Sequence, residues 1–283
     1  MSKRVLVGMI LLGLCACGQQ RNKSIDVMNQ GVAAFNNKLY DSAEKKFDEA
    51  IKIDPTNDHA YQNLGKLYQE TKKWEKATDA FNEALKFDPS NAQLHYDLGW
   101  SLAEAKKNDM AEKELRKAVE LNGSLFKAHF RIGEILRGAE KWKEADAAYR
   151  KSIEINPRFS LAYVQLGFMY LLFDGEDLAK PAQQVFENAV VANEGDGEAW
   201  YGLGLALAQQ NEHDKAIEAF RKAVTNKAPN PELKYNLAQS LAAKGDKAGA
   251  KKELAEFIQL SGAKAGADLV KAANDLSYAL DAQ

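Results

Sequence analysis

The chain has 283 residues, with 38 basic against 40 acidic side chains, 46% hydrophobic residues, six prolines and two cysteines. That charge balance holds no basic surplus and argues against nucleic acid as a partner, and two cysteines make no disulfide framework. A hydrophobic content this high without a low-complexity tract describes a folded chain. The two domains suggested by length give way if the chain is a repeat array.

The first element is a targeting segment. Lys3 and Arg4 give a positive start, Val5 to Leu14 an apolar run, and Leu14-Cys15-Ala16-Cys17 a close of small residues. A disulfide between Cys15 and Cys17 would close too small a loop. A metal site would need further ligands, and Met1 to Gln20 contains no His, Asp or Glu. The apolar run is also well short of the roughly 20 residues that a spanning helix takes.

Leu14, Cys15, Ala16 and Cys17 resemble the lipobox of bacterial lipoproteins, in which an aliphatic residue, a tolerant position and a small residue precede the lipidated Cys. The resemblance implies cleavage after Ala16 and a diacylglycerol thioether and acylated amine on Cys17. Two or more acyl chains anchor stably where one does not. Asp after that Cys retains such proteins in the inner membrane of enterobacteria. Gly18 here implies an outer-membrane, lipid-anchored, periplasm-facing protein. Loss of Lys3 and Arg4 with the signal leaves 36 basic against 40 acidic residues. Gly18 to Lys23 then reads as a short linker, reaching at most ~20 Å at about 3.3 Å per residue.

From Ser24 a 34-residue period organises the chain. Ser24–Asn57 and Asp58–Asn91 share Gly at the eighth place (Gly31, Gly65), Ala at the twentieth (Ala43, Ala77), an aromatic at the twenty-fourth (Phe47, Phe81), and Ala at the twenty-seventh (Ala50, Ala84). Asp54-Pro55 and Asp88-Pro89 follow. Residues 92–125 keep Gly99, Ala111, Leu115 and Ala118; residues 126–159 keep Gly133, Ala145, Tyr149 and Pro157. Residues 160–196 keep Gly167, Ala182, Phe186 and Ala189 with three extra residues, and 197–230 carry Trp200, Gly204, Ala216, Phe220 and Ala223. Residues 231–262 are degenerate, with Ala238 for the Gly and Phe257 where a small residue is expected.

Small residues at these places let two helices approach closely while aromatics fill the space between units. One unit cannot bury its own apolar face, so neighbours must stack. Asn57, Asn91 and Asn230 stand where an N-cap would serve the next helix. Leu269, Ala273, Leu276 and Leu280 predict an amphipathic helix over 263–283 that caps the last repeat, and Phe257 fits an array end. This pattern resembles the tetratricopeptide repeat. The resemblance implies an all-α, right-handed superhelical solenoid of about seven helix-turn-helix repeats plus a C-terminal capping helix.

Catalytic chemistry is not apparent. His95 and His129 recur at the fourth place as packing residues, His213 occupies the place of Trp74 and Trp142, and His59 reads as surface. There is no Gly-rich phosphate loop, GxSxG elbow or HExxH. Asp174, Glu176 and Asp177 around Gly175 lack EF-hand spacing and read as a lengthened turn ahead of Pro181, placed as a first helical residue. We expect no enzyme, no metal and no cofactor.

The repeat family binds peptides in a concave groove lined by places two, five, six, nine, twelve and thirteen. Its carboxylate clamp is incomplete here: Gln62 and Lys66 do not match it, and Asp97 would repel a carboxylate despite Lys127 and Arg131. The groove reads as apolar, with Trp100, Phe130 and Phe168 as partner anchors and Tyr96, Tyr201 and Leu205 beside them. Signal, anchor and array together resemble the pilotins of type IV pilus systems (the PilF, PilW and Tgl kind). That likeness implies a protein partner such as a secretin, held in the groove at a membrane. The alternative is a scaffold for peptidoglycan hydrolases or synthases. A catalytic constellation would mark an enzyme instead.

Overall fold

The computed structural model describes residues 3–172, 178–261 and 266–282, with side chains from Gly18 onward except 260 and 261. The turn bearing Asp174, Gly175, Glu176 and Asp177 and the side chains of Cys15 and Cys17 therefore lie outside the described residues. Every regular element described is an α-helix. The chain divides into two compact units, residues 1–135 and 136–283.

The first unit contains α1 (Lys3–Asn36), α2 (Tyr40–Ile53), α3 (Asp58–Glu70), α4 (Trp74–Leu85), α5 (Ala92–Glu104), α6 (Asn108–Leu121) and most of α7 (Phe126–Gly138). The second contains α8 (Trp142–Ile155), α9 (Ser160–Leu172), α10 (Ala179–Ala192), α11 (Gly197–Gln209), α12 (His213–Thr225), α13 (Leu233–Ala243), α14 (Lys247–Ser261) and α15 (Ala267–Ala282). Antiparallel pairs follow one another, and α3, α5, α7 and α9 begin at Asp58, Ala92, Phe126 and Ser160, one period apart.

Three local devices set that period. At the start of the first helix in a pair, the Asn57 side chain accepts from the Ala60 amide at 3.1 Å, and Asn91 accepts from Gln93 and Leu94. Asp196 does the same for α11, satisfying amides that have no partner within the helix. Asn57 also donates to Ser24 Oγ at 2.8 Å, and that buried hydroxyl donates to the Ala50 carbonyl. Between the helices of a pair, one residue adopts the left-handed conformation: Lys38, Lys72, Lys106, Glu140, Asn211 and Gly245, all at the fifteenth place. At four junctions between pairs, an Asx turn reverses the chain. The Asp54, Asn122, Asn156 and Asn193 side chains accept from the amides of Thr56, Ser124, Arg158 and Gly195. The Asp or Asn recurs even where Pro does not, so the side-chain acceptor is the common feature of these junctions.

Packing explains the Gly and the aromatic together. A Cβ added at Gly65 would lie 2.6 Å from the Phe81 ring, and one at Gly31 would lie 2.7 Å from Phe47. In the second unit the same holds for Gly167 with Phe186 at 2.6 Å and Gly204 with Phe220 at 2.5 Å. Place eight is empty because the ring from place twenty-four fills it. In the last pair Ala238 coexists with the smaller Leu254, and both are fully buried. Phe257 is also fully buried, in one core with Ala273 and Leu280 of α15, so the larger ring is covered by the final helix.

Three sequence expectations are corrected here. Gly18 to Lys23 continue α1 and are not an extended linker, so these six residues rise about 9 Å at 1.5 Å each. Asn230 does not cap α13: that helix starts at Leu233 after Glu232, because Pro231 intervenes and the turn uses the Asn230 backbone carbonyl. Pro181 is the third residue of α10, where its missing amide costs no helical bond. Among the described residues, no helix is long and apolar enough to cross a membrane.

Candidate functional site

The second unit holds a groove of about 650 Å³ built on its first helices. From α9 come Phe168, Leu171 and Leu172; from α11, Glu198, Tyr201, Leu205, Ala208 and Gln209; from α13 and its approach, Glu232, Asn236 and Gln239. Asn230, His213, Phe220 and Ser240 complete the walls. Ridge residues one and two turns apart along parallel helices converge on one surface. Phe168 packs edge-on against Phe186, with ring centroids 5.1 Å apart, and lies 6.3 Å from Tyr201. Tyr201 in turn packs 6.1 Å from Phe220. These rings form a packed floor, while Leu172 is 68% exposed at the rim.

The polar groups are arranged unevenly. Tyr201 is buried, yet its hydroxyl donates to Glu232 Oε1 at 3.1 Å and accepts from Asn236 at 2.9 Å. Burial, then the Glu232 carboxylate, raises the Tyr201 hydroxyl far above the usual range, so it stays a donor. Burial and neighbouring Asp196 push the Glu198 carboxyl up. Asn230 Oδ1 and His213 Nδ1 are buried without a hydrogen-bond partner among the described residues. Such atoms are costly unless something pairs with them. The lining has two carboxylates and no Lys or Arg.

The equivalent helix faces of the first unit have a different chemistry. Trp100 donates its indole N–H to Glu104 Oε1 at 3.3 Å, and the Arg131 guanidinium sits 5.2 Å from its ring centre. Arg131 also pairs with Glu134 at 2.8 Å, and Trp74 and Tyr96 flank Trp100 with centroids 6.4 Å away. Asp97 is 5% exposed, bonded to Gln93 through one oxygen, and its other oxygen has no hydrogen-bond partner among the described residues. Burial raises its carboxyl to about 6 against the opposing pull of the Gln93 bond, Lys66 and Lys127.

The six expected groove residues therefore separate. Phe168, Tyr201 and Leu205 line one groove. Trp100 is half-buried under a guanidinium and already holds a partner for its N–H. Phe130 is 3% exposed and Tyr96 7% exposed, as buried as Tyr201, and neither is among the residues that line this groove. The histidine expectations also divide. His95 spends both ring nitrogens on Glu114 and the Pro89 carbonyl, whereas His213, read as packing, faces the groove. Glu198, Glu232, Asn236, Leu171 and Leu172 were missed, although they occupy places two, six, twelve and thirteen. The aromatic residues that mark the groove in the sequence stand at places five and nine, whereas these five do not.

Comparison with known proteins agrees with this architecture. The tetratricopeptide-repeat models match residues 59–91, 96–158 and 180–231, together over half of the chain. A peroxisomal targeting signal receptor from Kluyveromyces lactis is 36% identical over 77 residues, 27% of this chain and 13% of that protein, so the chain spans a small part of that curated relative. Among solved structures, MamA is 26% identical with TM-score 0.54, covering 58% of this chain and 94% of that one. PilF of Pseudomonas aeruginosa is 19% identical with TM-score 0.66, covering 76% of this chain and 95% of that one. PilW, a type IV pilus biogenesis factor, is 20% identical with TM-score 0.64, covering 76% and 98%.

Proposed function

The chain belongs to the tetratricopeptide-repeat family, and on that premise we propose that it is a membrane-anchored protein-binding scaffold of the bacterial envelope. Its working surface is the groove formed by α9, α11 and α13, which holds a segment of a partner protein. The observation that carries this reading is the groove itself: a packed aromatic floor, an exposed apolar rim and buried polar atoms without partners among the described residues in one concavity. Apolar concavities with a few fixed polar groups suit ligand capture, and aromatic anchors there dominate affinity.

Anchoring is proposed from Leu14 to Cys17, with Cys17 as the lipidated residue at the outer membrane. The partner proposed is a type IV pilus secretin, whose assembly the scaffold assists. Support comes from the combination of lipobox and repeat array, and from the fold likeness to PilF and PilW.

The test is capture from solubilised envelopes by the full chain and by a Phe168→Ala, Leu205→Ala variant. We expect the unaltered chain to retain secretin and the variant to lose it, with unchanged helical circular dichroism. Cells carrying the variant should accumulate secretin monomers. Normal multimers in those cells, or groove-dependent capture of peptidoglycan hydrolases or synthases, would overturn the secretin assignment. Loss of helicity would show that the two side chains serve packing.

A further inference from the structure

We infer that this groove selects a partner segment with a Lys or Arg about three or four residues from an apolar side chain. The inference rests on the groove being the partner site and adds the chemistry of what it takes.

The groove is polarised along its helices. Glu198 is the second residue of α11, and Glu232 immediately precedes α13. Tyr201, one turn after Glu198, bonds Glu232, so the two carboxylates flank one end. The apolar side chains Phe168, Leu171, Leu172, Leu205 and Ala208 lie in the second halves of α9 and α11. Seven residues separate Glu198 from Leu205, which is about 10 Å along a helix. An extended peptide covers that distance in about three residues at 3.3 Å each.

Neither Glu198 nor Glu232 has an ion-pair partner among the described residues, and no basic side chain lines the groove. The nearby Lys234 is already held by Glu253 and Glu256. Helix N-termini carry about half a positive charge each. Two such ends offset only part of two carboxylates, and Asp196 adds a third acidic side chain at the start of α11. The acidic end therefore favours a cation. Asn230 Oδ1 supplies a buried acceptor without a partner for a donor of the same segment. An acidic peptide terminus would meet repulsion at that end.

The test uses three blocked, fluorescein-labelled decapeptides of alanine and serine. Each carries a leucine pair and, three residues away, either lysine, the uncharged isostere norleucine, or glutamate. Fluorescence anisotropy with the detergent-solubilised full chain, up to millimolar peptide, reads the affinities. We expect the lysine peptide to bind about tenfold tighter than norleucine, with glutamate weakest and the preference shrinking as salt rises. Glu198→Gln with Glu232→Gln keeps an acceptor for Tyr201 and should bring the lysine-to-norleucine ratio close to one.

Equal binding of lysine and norleucine peptides, abolished by Phe168→Ala with Leu205→Ala, would overturn the cation preference and leave the groove standing. Binding of no peptide, or binding that the Phe168 and Leu205 substitutions do not alter, would overturn the groove reading and this inference with it. Concentration-dependent dimers in sedimentation that peptides cannot dissociate would assign the groove to a second copy of the chain and overturn the inference too.

Discussion

Gly65→Ala tests the contact that spaces the helices. The added Cβ would meet three Phe81 ring carbons at 2.6, 2.7 and 2.8 Å, where ordinary contact begins near 3.4 Å. Phe81 is fully buried and cannot swing away. Overpacking of this kind costs about 1–3 kcal/mol. Replacing a mid-helix Gly by Ala returns about 1 kcal/mol of helix propensity, so the net loss is about 1 kcal/mol. Phe81→Leu alone leaves a void and also destabilises. Combined, the two substitutions recreate the pairing found natively at Ala238 and Leu254, and the alanine should then be neutral or stabilising. Urea unfolding of the four members of the cycle should give a coupling of about 1–2 kcal/mol, favourable to the double variant. Strict additivity would refute the claim that place eight is small because the ring at place twenty-four occupies it.

Other predictions concern charge and anchoring. The Asp97 carboxyl sits near 6 when folded, against 3.8 for a free carboxyl, so the folded state binds the proton more tightly. Between those values stability falls as pH rises, by about 3 kcal/mol at 1.36 kcal/mol per tenfold change in proton affinity. Asp97→Asn should remove that slope, so the stability difference between variant and native chain should grow in the variant's favour from pH 4 to pH 7; a constant difference would contradict the account. Cys17→Ser should yield an unlipidated or uncleaved chain while Cys15→Ser is processed normally, as mass spectrometry of the mature amino terminus will show. A lipid-free Cys17 in the native protein would remove the anchor.

Those residues whose spacing is fixed by direct contact were legible in the sequence. Gly at place eight and an aromatic at place twenty-four recur because one fills the space left by the other, as Gly65 and Phe81 do. The Asn57 and Asn91 caps were legible for the same local reason. Asn230 was not, because Pro231 shifts the helix start and turns the Asn side chain into a groove wall. Exposure was not legible where a long side chain decides it. Place nine locates Trp100, but only the fold shows Arg131 lying across it. Phe130 differs from Phe168 in burial, not in residue type, and burial depends on neighbours outside its own repeat. Linker and helix also look alike in a polar six-residue stretch, so Gly18 to Lys23 gave no warning of α1.

Site-specific photocrosslinking from within the groove tests the central claim most directly. A photoreactive amino acid at Leu205, on the groove wall, is compared in intact cells with one at Val191, which is 88% exposed and lies outside the groove. The account predicts that Leu205 yields a discrete adduct with one envelope protein, mapped by mass spectrometry to an apolar segment with an adjoining Lys or Arg, and that Val191 does not. Adducts of that partner from Val191 with none from Leu205 would contradict it.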